Sequence, residues 1–328
     1  MNKCKILSQK HHKVMIGILL AAMLVFPLMG FSQYVYRIAV VSVLYAILAM
    51  SLNLIAGVAG QISLGHIAFY GIGAYTSALL CVNFGVSVWV GILAAFVVSM
   101  LFGLLIAIPT LKLSGGYLAI LTMSFAEIIR LILLNWTSVT RGPMGILNIP
   151  KPSLFGYTIK SSGAFLYLVL TVAIIVYIGL YNLIHSRFGR NLQALRDDEI
   201  SSESMGINVY RYKVIAFVIS TGVAGVAGAL FASYMEFIDP SSFISDESTV
   251  ILSMVVLGGM GNMNGSIIAA ALLTILPEAL RSFSDYRMLV YGVVLVAMML
   301  LKITDWAAIK RSLKTALNFK TGGKESGT

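Results

Sequence analysis

Charge is what this 328-residue chain has least of. Only 11% of its residues are Asp, Glu, Lys or Arg, whereas 59% are hydrophobic. A soluble domain carries about 25% charged residues, and the mean hydropathy here is +0.92. Most of the surface must therefore be hidden in lipid. Cysteine is nearly absent too. Cys4 and Cys81 cannot build a disulfide framework, and no Cys/His spacing suits zinc. His11 and His12 sit in a basic terminus and read as solvated. No G-x-x-x-x-G-K-[ST] occurs, so the chain cannot cradle ATP phosphates by itself. No nucleophile–base set or metal-ligand cluster is evident, which argues against a membrane-embedded enzyme. No cofactor is expected on this chain.

What is present is a series of apolar runs. A span needs about 20 mostly apolar residues. The runs Val14–Gly30, Ile38–Ile55, Ile62–Val82, Ser87–Ile108 and Tyr117–Trp136 give five. Phe165–Ile184, Val214–Tyr234, Thr249–Leu257, Ile267–Leu280 and Arg287–Leu301 give five more. The fold class expected is an all-α polytopic membrane bundle of about 10 helices, some short or broken. The eighth run is short and leads into "GGMGNMNG", which suggests re-entry.

The net charge of +10 is placed unevenly. With ten crossings, one side of the membrane receives 16 Lys and Arg and the other receives 6, with Arg130 inside a span. That bias puts both termini in the cytoplasm and removes any need for nucleic acid. The layout is then a cytoplasmic tail (1–13), a transmembrane domain (14–301) and a second cytoplasmic tail (302–328). Within the domain, 137–164 is an external loop rich in Gly and Pro, and 185–213 is a charged cytoplasmic loop. The first run is expected to remain as an uncleaved span, since no A-x-A-like site follows Met29.

One internal echo stands out. "AGVAG" occurs at 56–60 and again at 224–228, five spans later. An inverted repeat, as in many transporters, is one reading; chance sharing of five small letters is the other.

The segment Asn53–Leu80 looks like a span but holds Gly57, Gly60, Gly65, Gly71 and Gly73 together with Gln61, Ser63 and His66. Helices in lipid associate through small residues four apart. Gly73 with Ser77, and a ridge from Thr221 through Gly225 to Ala229 with Gly228 beside it, are expected to be such packing surfaces. "GVAGQISLGH" is different, because it combines glycines with polar groups. Broken backbone at membrane depth is tolerated where it is buried or lines an aqueous cavity. The segment therefore fits a helix break near the cytoplasmic end of a pathway, with Asn53, Gln61, Ser63 and His66 as path candidates. His66 could equally hydrogen-bond a neighbouring helix. Tyr117 and Glu127 are further path candidates. Glu127 and Arg130 lie three apart and can neutralise each other.

Five blocks resemble the permeases of branched-chain amino acid ABC importers, the LivH/LivM permease family. They are "LNLIAGVAGQISLGHIAFYGIGAYTSALL", "GGYLAILTMSFAEIIRLILLNW", "TRGPMGI", "GRNLQALRDDEISSESMGINVYRYKVIAFVISTGVAGVAGALFA" and "VVLGGMGNMNGSIIAAALLTILPE". They occur in family order over most of 52–278, and the "RDDE…MGIN" loop favours the LivM type over its LivH-type sister. The resemblance implies a bacterial inner-membrane importer of leucine, isoleucine or valine. It also implies a sister permease, two cytoplasmic ATPases that bind ATP and Mg²⁺, and an extracytoplasmic solute-binding protein. In this reading Asp197–Met205 is a short coupling helix docking on an ATPase. Asp197, Asp198 and Glu199 occupy its first turn, Ser202 and Glu203 contact the ATPase, and Gly206 stands just past its end. Ile200 and Ile207 would share an apolar docking edge. Importers of urea or short-chain amides share these motifs and form the alternative. An ion-coupled secondary transporter is a weaker one, because coupling charges within the spans are scarce.

Overall fold

A computed structural model describes residues 32–110, 116–154, 157–159, 161–279, 292, 293 and 296. The chain divides into two units, 1–275 and 276–328. The second is described only at the last residues of one helix and at 292, 293 and 296. The first and tenth apolar runs lie outside the described residues, apart from those last three positions.

Six helices among the described residues are long and apolar enough to cross a membrane. They are α1 (Gln33–Leu52), α2 (His66–Phe84), α3 (Val88–Thr110), α4 (Gly116–Asn135), α5 (Ser162–His185) and α8 (Val209–Met235). A turn of π-helix, Asn53–Val58, prolongs α1. Lipid offers the backbone no water partners, so these runs satisfy it internally, which only a helix or closed barrel allows. Between α5 and α8 lie α6 (Arg187–Asp197) and α7 (Glu199–Ser204). After α8 come α9 (Ser245–Gly258) and α10 (Met263–Ala279). These six helices match the second to seventh apolar runs, except that α2 begins at His66 rather than Ile62.

Helix α8 crosses both α2 and α3, and small residues make the crossing possible. A Cβ on Gly73 would lie 2.2 Å from the Gly225 carbonyl oxygen, and one on Gly228 would lie 1.9 Å from that of Tyr70. A Cβ on Gly225 would meet Ser99 Oγ at 2.2 Å. Ser77, buried, stands against Gly91 of α3. Gly73, Ser77, Gly225 and Gly228 are packing residues, as their spacing predicts. The two AGVAG copies differ in backbone. The first runs through the π-turn into the break, and the second sits in the middle of a regular helix. The echo of letters carries no shared conformation.

The loop 137–164 is more ordered than its Gly and Pro content suggests. Strand β1 (Ile146–Leu147) pairs antiparallel with β4 (Phe237–Ile238), directly after α8. A small hairpin joins β2 (Ser153–Leu154) and β3 (Tyr157–Thr158). Lys151 pairs with Glu236 at 2.5 Å, and Trp89 Nε1 donates to Ser153 O at 2.8 Å.

The eighth run is short, as its sequence suggests. At 14 residues, α9 spans about 21 Å at 1.5 Å per residue, too short to cross alone. After α8, strand β4 and a 3₁₀ turn (Pro240–Phe243) lead into α9, and Phe243 packs on the Tyr70 and Tyr75 rings of α2. Helix α9 continues from there, and Gly261 beyond it reaches Asn53 at the far end of α1.

Candidate translocation site

The predicted break lies between α1 and α2. Asn53 is fully buried, and its Oδ1 accepts the Gly261 N–H at 2.7 Å. This contact requires Gly57 to be bare, because a Cβ there would sit 1.8 Å from Asn53 Oδ1 and 2.2 Å from Gly261 N. Gly60 turns the chain with φ +72, a left-handed backbone suited to glycine. The stem of Arg196 crosses this bare surface, with its Cγ 2.9 Å from where a Gly60 Cβ would be. Its guanidinium donates to the Gly57 carbonyl oxygen. The last turn of α6 is thus tied to the π-turn.

Ser63 is buried within the break, and the adjacent Leu64 N–H donates to Thr122 Oγ1 of α4 at 3.0 Å. Gln61 is buried, and its Oε1 has no hydrogen-bond partner among the described residues; nor does Asn53 Nδ2. His66 opens α2, and its Nε2 is 2.7 Å from Ser51 Oγ. The Ser51 hydroxyl already donates to Leu48 O at 2.8 Å, so the histidine nitrogen is the donor. Ser220 of α8 donates to the Ser51 carbonyl. His66 therefore pins α2 to α1, the structural alternative open from sequence.

The structure brings Asn53, Gln61, Ser63 and His66 together at this break. Tyr117 and Glu127 are not part of that cluster. Tyr117 is 74% exposed in the first turn of α4. Glu127 lies ten residues on, about 15 Å along the helix, half-exposed and bonded to Arg130 Nε at 3.0 Å. Sequence reasoning missed Arg196, Thr122, Ser51 and Ser220. It also missed the first turn of α9, where Ser248 Oγ accepts the Ile67 N–H at 3.1 Å and Glu247 accepts from Tyr45 OH at 2.6 Å. An available signal was "DPSSFISDES", where Pro240 opens a 3₁₀ turn and the acidic residues that follow open α9.

At the opposite end from β1 and β4, α6 and α7 form the charged segment. Ser186 caps α6, accepting from the Phe188 and Gly189 N–H groups. Asp197 closes α6, so it does not belong to the first turn of the next helix. Asp198 is the N-cap of α7. It accepts the Ser201 N–H at 3.0 Å and the Ser201 hydroxyl at 2.6 Å. These bonds hold its carboxyl below the usual carboxylate range. Only Glu199 lies within the helix's first turn. Past the end, Gly206 adopts φ +82, its N–H reaches Glu203 O, and Ile207 N–H reaches Ser202 O. This is a Schellman cap, as the glycine suggested. Lys213 pairs with Glu199 at 2.6 Å, tying α7 to α8. Ser202 faces inward at 6% exposure, which overturns its assignment as a contact. Glu203 is exposed, but the large apolar groups on the open face are Ile200 and Met205, 80% and 83% exposed. Ile207 is only partly exposed, so the outer edge is Ile200 with Met205.

A family model described as "Branched-chain amino acid transport system / permease component" matches residues 34–300. The chain is 40% identical over 316 residues to the high-affinity branched-chain amino acid transport system permease protein LivM of Salmonella typhimurium, covering 89% of this chain and 74% of that protein. It is 39% identical to the Escherichia coli K12 protein of the same name, with the same coverage. The LivH permease protein of Salmonella typhimurium is 25% identical over 296 residues, covering 84% of this chain and 94% of that protein. No solved structure matches the chain.

Proposed function

Because the chain belongs to the family of permease components of branched-chain amino acid transport systems, we propose that it is the LivM-type half of the membrane channel of an ATP-driven importer for leucine, isoleucine and valine. The observation that carries this reading is the 40% identity to a LivM protein over 89% of the chain, against 25% for the LivH sister. A LivH-type permease completes the channel. Two cytoplasmic ATPases bind ATP and Mg²⁺, since this chain has no phosphate-binding loop. An extracytoplasmic binding protein delivers the cargo. The protein resides in the bacterial inner membrane with both termini in the cytoplasm, in keeping with the charge bias.

In this reading α6 and α7 receive the ATPase on the exposed Ile200 and Met205, with Asp198, Glu199, Glu203 and Gly206 shaping that helix. Arg196 carries the motion to the π-turn. Asn53, Gln61 and Ser63 border the cytoplasmic end of the path, which opens as the break is pulled. Tyr117 and Glu127 on the open face of α4 adjoin the path where the sister subunit meets it.

The test is reconstitution of this chain with its sister permease, ATPases and binding protein in liposomes. ATP-dependent uptake of leucine, isoleucine and valine is expected, with no ATP hydrolysis by this chain alone. Uptake of urea without any amino acid would replace this cargo with the alternative. Gradient-driven uptake by the chain alone would overturn the importer reading.

A further inference from the structure

The first turn of α9 carries an acidic side chain at half the depth of the bundle. The span Gln33–Val58 has 26 residues, and Tyr45 is at its midpoint. The Tyr45 hydroxyl donates to Glu247 Oε2 at 2.6 Å. The next residue, Ser248, accepts the Ile67 N–H at 3.1 Å, which holds the same turn against the start of α2. Glu247 is therefore positioned by α1 on one side and α2 on the other, and it is only half-buried.

An ionisable group at this depth is costly unless it meets a countercharge or lines a water-filled path. Glu127 shows the structural solution, with Arg130 Nε 3.0 Å away. Glu247 lacks it. The ion pairs among the described residues are Glu127–Arg130, Glu236–Lys151 and Glu199–Lys213, and none involves Glu247. The tyrosine occupies one carboxylate oxygen and leaves Oε1 for another donor. Apolar surface lies alongside. Tyr70, within electrostatic reach of Glu247, packs against Phe231 at 5.4 Å and Phe243 at 5.7 Å. Phe243 ends the 3₁₀ turn Pro240–Phe243 that leads into α9. Asp246, one residue earlier, is exposed and has no such tyrosine bond among the described residues.

The geometry points to Glu247, oriented by Tyr45, as the group that receives the ammonium of an amino acid at the middle of the membrane, with Tyr70, Phe231 and Phe243 beside its apolar side chain. An ammonium–carboxylate contact is a charge-assisted hydrogen bond and offsets the cost of the buried charge while cargo is present. This assignment rests on the amino-acid importer reading above.

The experiment uses the complete complex in liposomes, with leucine-loaded binding protein. Glu247→Gln keeps the size and the tyrosine contact but removes the charge, and is expected to lower leucine uptake by about 30-fold or more. Glu247→Asp restores most of it. Tyr45→Phe, which removes the hydroxyl from the Glu247 carboxylate, lowers uptake by about 3–10-fold. Asp246→Asn, the same charge change one residue away, stays within about threefold. Co-purification of the ATPases with each variant reports assembly. If Glu247→Gln does not assemble, Glu247→Asp and Tyr45→Phe decide the matter, and normal uptake by both overturns the assignment. Normal uptake by an assembled Glu247→Gln complex overturns it too, while the importer reading stands. An equal loss in Asp246→Asn shows a general charge effect and also overturns it. If the wild-type complex imports no amino acid, the importer reading fails and the ammonium assignment fails with it.

Discussion

Gly228→Ala adds one methyl group where α8 crosses α2. The new Cβ would lie 1.9 Å from the Tyr70 carbonyl oxygen and 2.9 Å from Ala74 N, against an ordinary contact of 3.4 Å or more. Both obstacles are backbone, so no rotamer relieves them, and the helices must separate by about 1.5 Å (3.4 less 1.9). Overpacking of this kind costs about 1–3 kcal/mol. It is partly offset by about 0.5–1 kcal/mol, because alanine loses less backbone freedom than glycine in a helix. Gly179 in α5 supplies the control, since a Cβ there meets nothing within 4 Å. Gly179→Ala carries the backbone gain without the clash. Comparing the two variants cancels the shared gain and leaves the steric cost of about 1–3 kcal/mol. The assay is thermal unfolding in detergent, followed as the monodisperse fraction after heating. Gly228→Ala should melt several degrees below Gly179→Ala, at about 2–4 °C per kcal/mol. If Gly228→Ala melts at or above Gly179→Ala, the close packing of α2 and α8 is misjudged.

Arg196→Ala removes the tie between α6 and the Gly57 carbonyl. The complex should still assemble and hydrolyse ATP, but uptake per ATP should fall about tenfold; unchanged coupling would show that the tie carries no motion. Cysteines at Ile200 and Met205, both widely exposed, should cross-link to the ATPase, whereas one at the buried Ser202 should not. The reverse pattern would place docking elsewhere. Gly206→Val meets no neighbour within 4 Å but must hold φ +82, so it strains only the cap of α7. It should insert normally and lose stimulation of ATP hydrolysis by loaded binding protein; full stimulation would mean that the Schellman cap is dispensable. The Asp198 cap should weaken with acid. Its folded-state pKa lies below the unfolded one, so its contribution is complete above the unfolded value and disappears as pH falls through the folded value. Protection of α7 amides from hydrogen exchange should follow that course, and Asp198→Asn should remove the pH dependence.

The sequence by itself determined everything that depends on local chemistry. Low charge and apolar runs of span length dictate membrane helices, since lipid offers the backbone no other partner. Gly73 with Ser77, and Gly225 on its four-residue ridge with Gly228 beside it, were legible because such spacing puts small residues on one helix face. Gly206 was legible because glycine takes a left-handed position past a helix end at least cost. Glycines with polar groups in "GVAGQISLGH" marked a break. The tertiary structure alone decided what those polar groups meet. His66 is a pin because Ser51, fifteen residues away, lies opposite it. Arg196 bonds Gly57 across 139 residues, and Glu247 meets Tyr45 across 202. Ser202 is buried because α7 packs back against α6 and α8. Such pairings leave no periodicity in the chain. They arise when separate helices pack, and their partners are fixed by depth and rotation rather than by sequence neighbours.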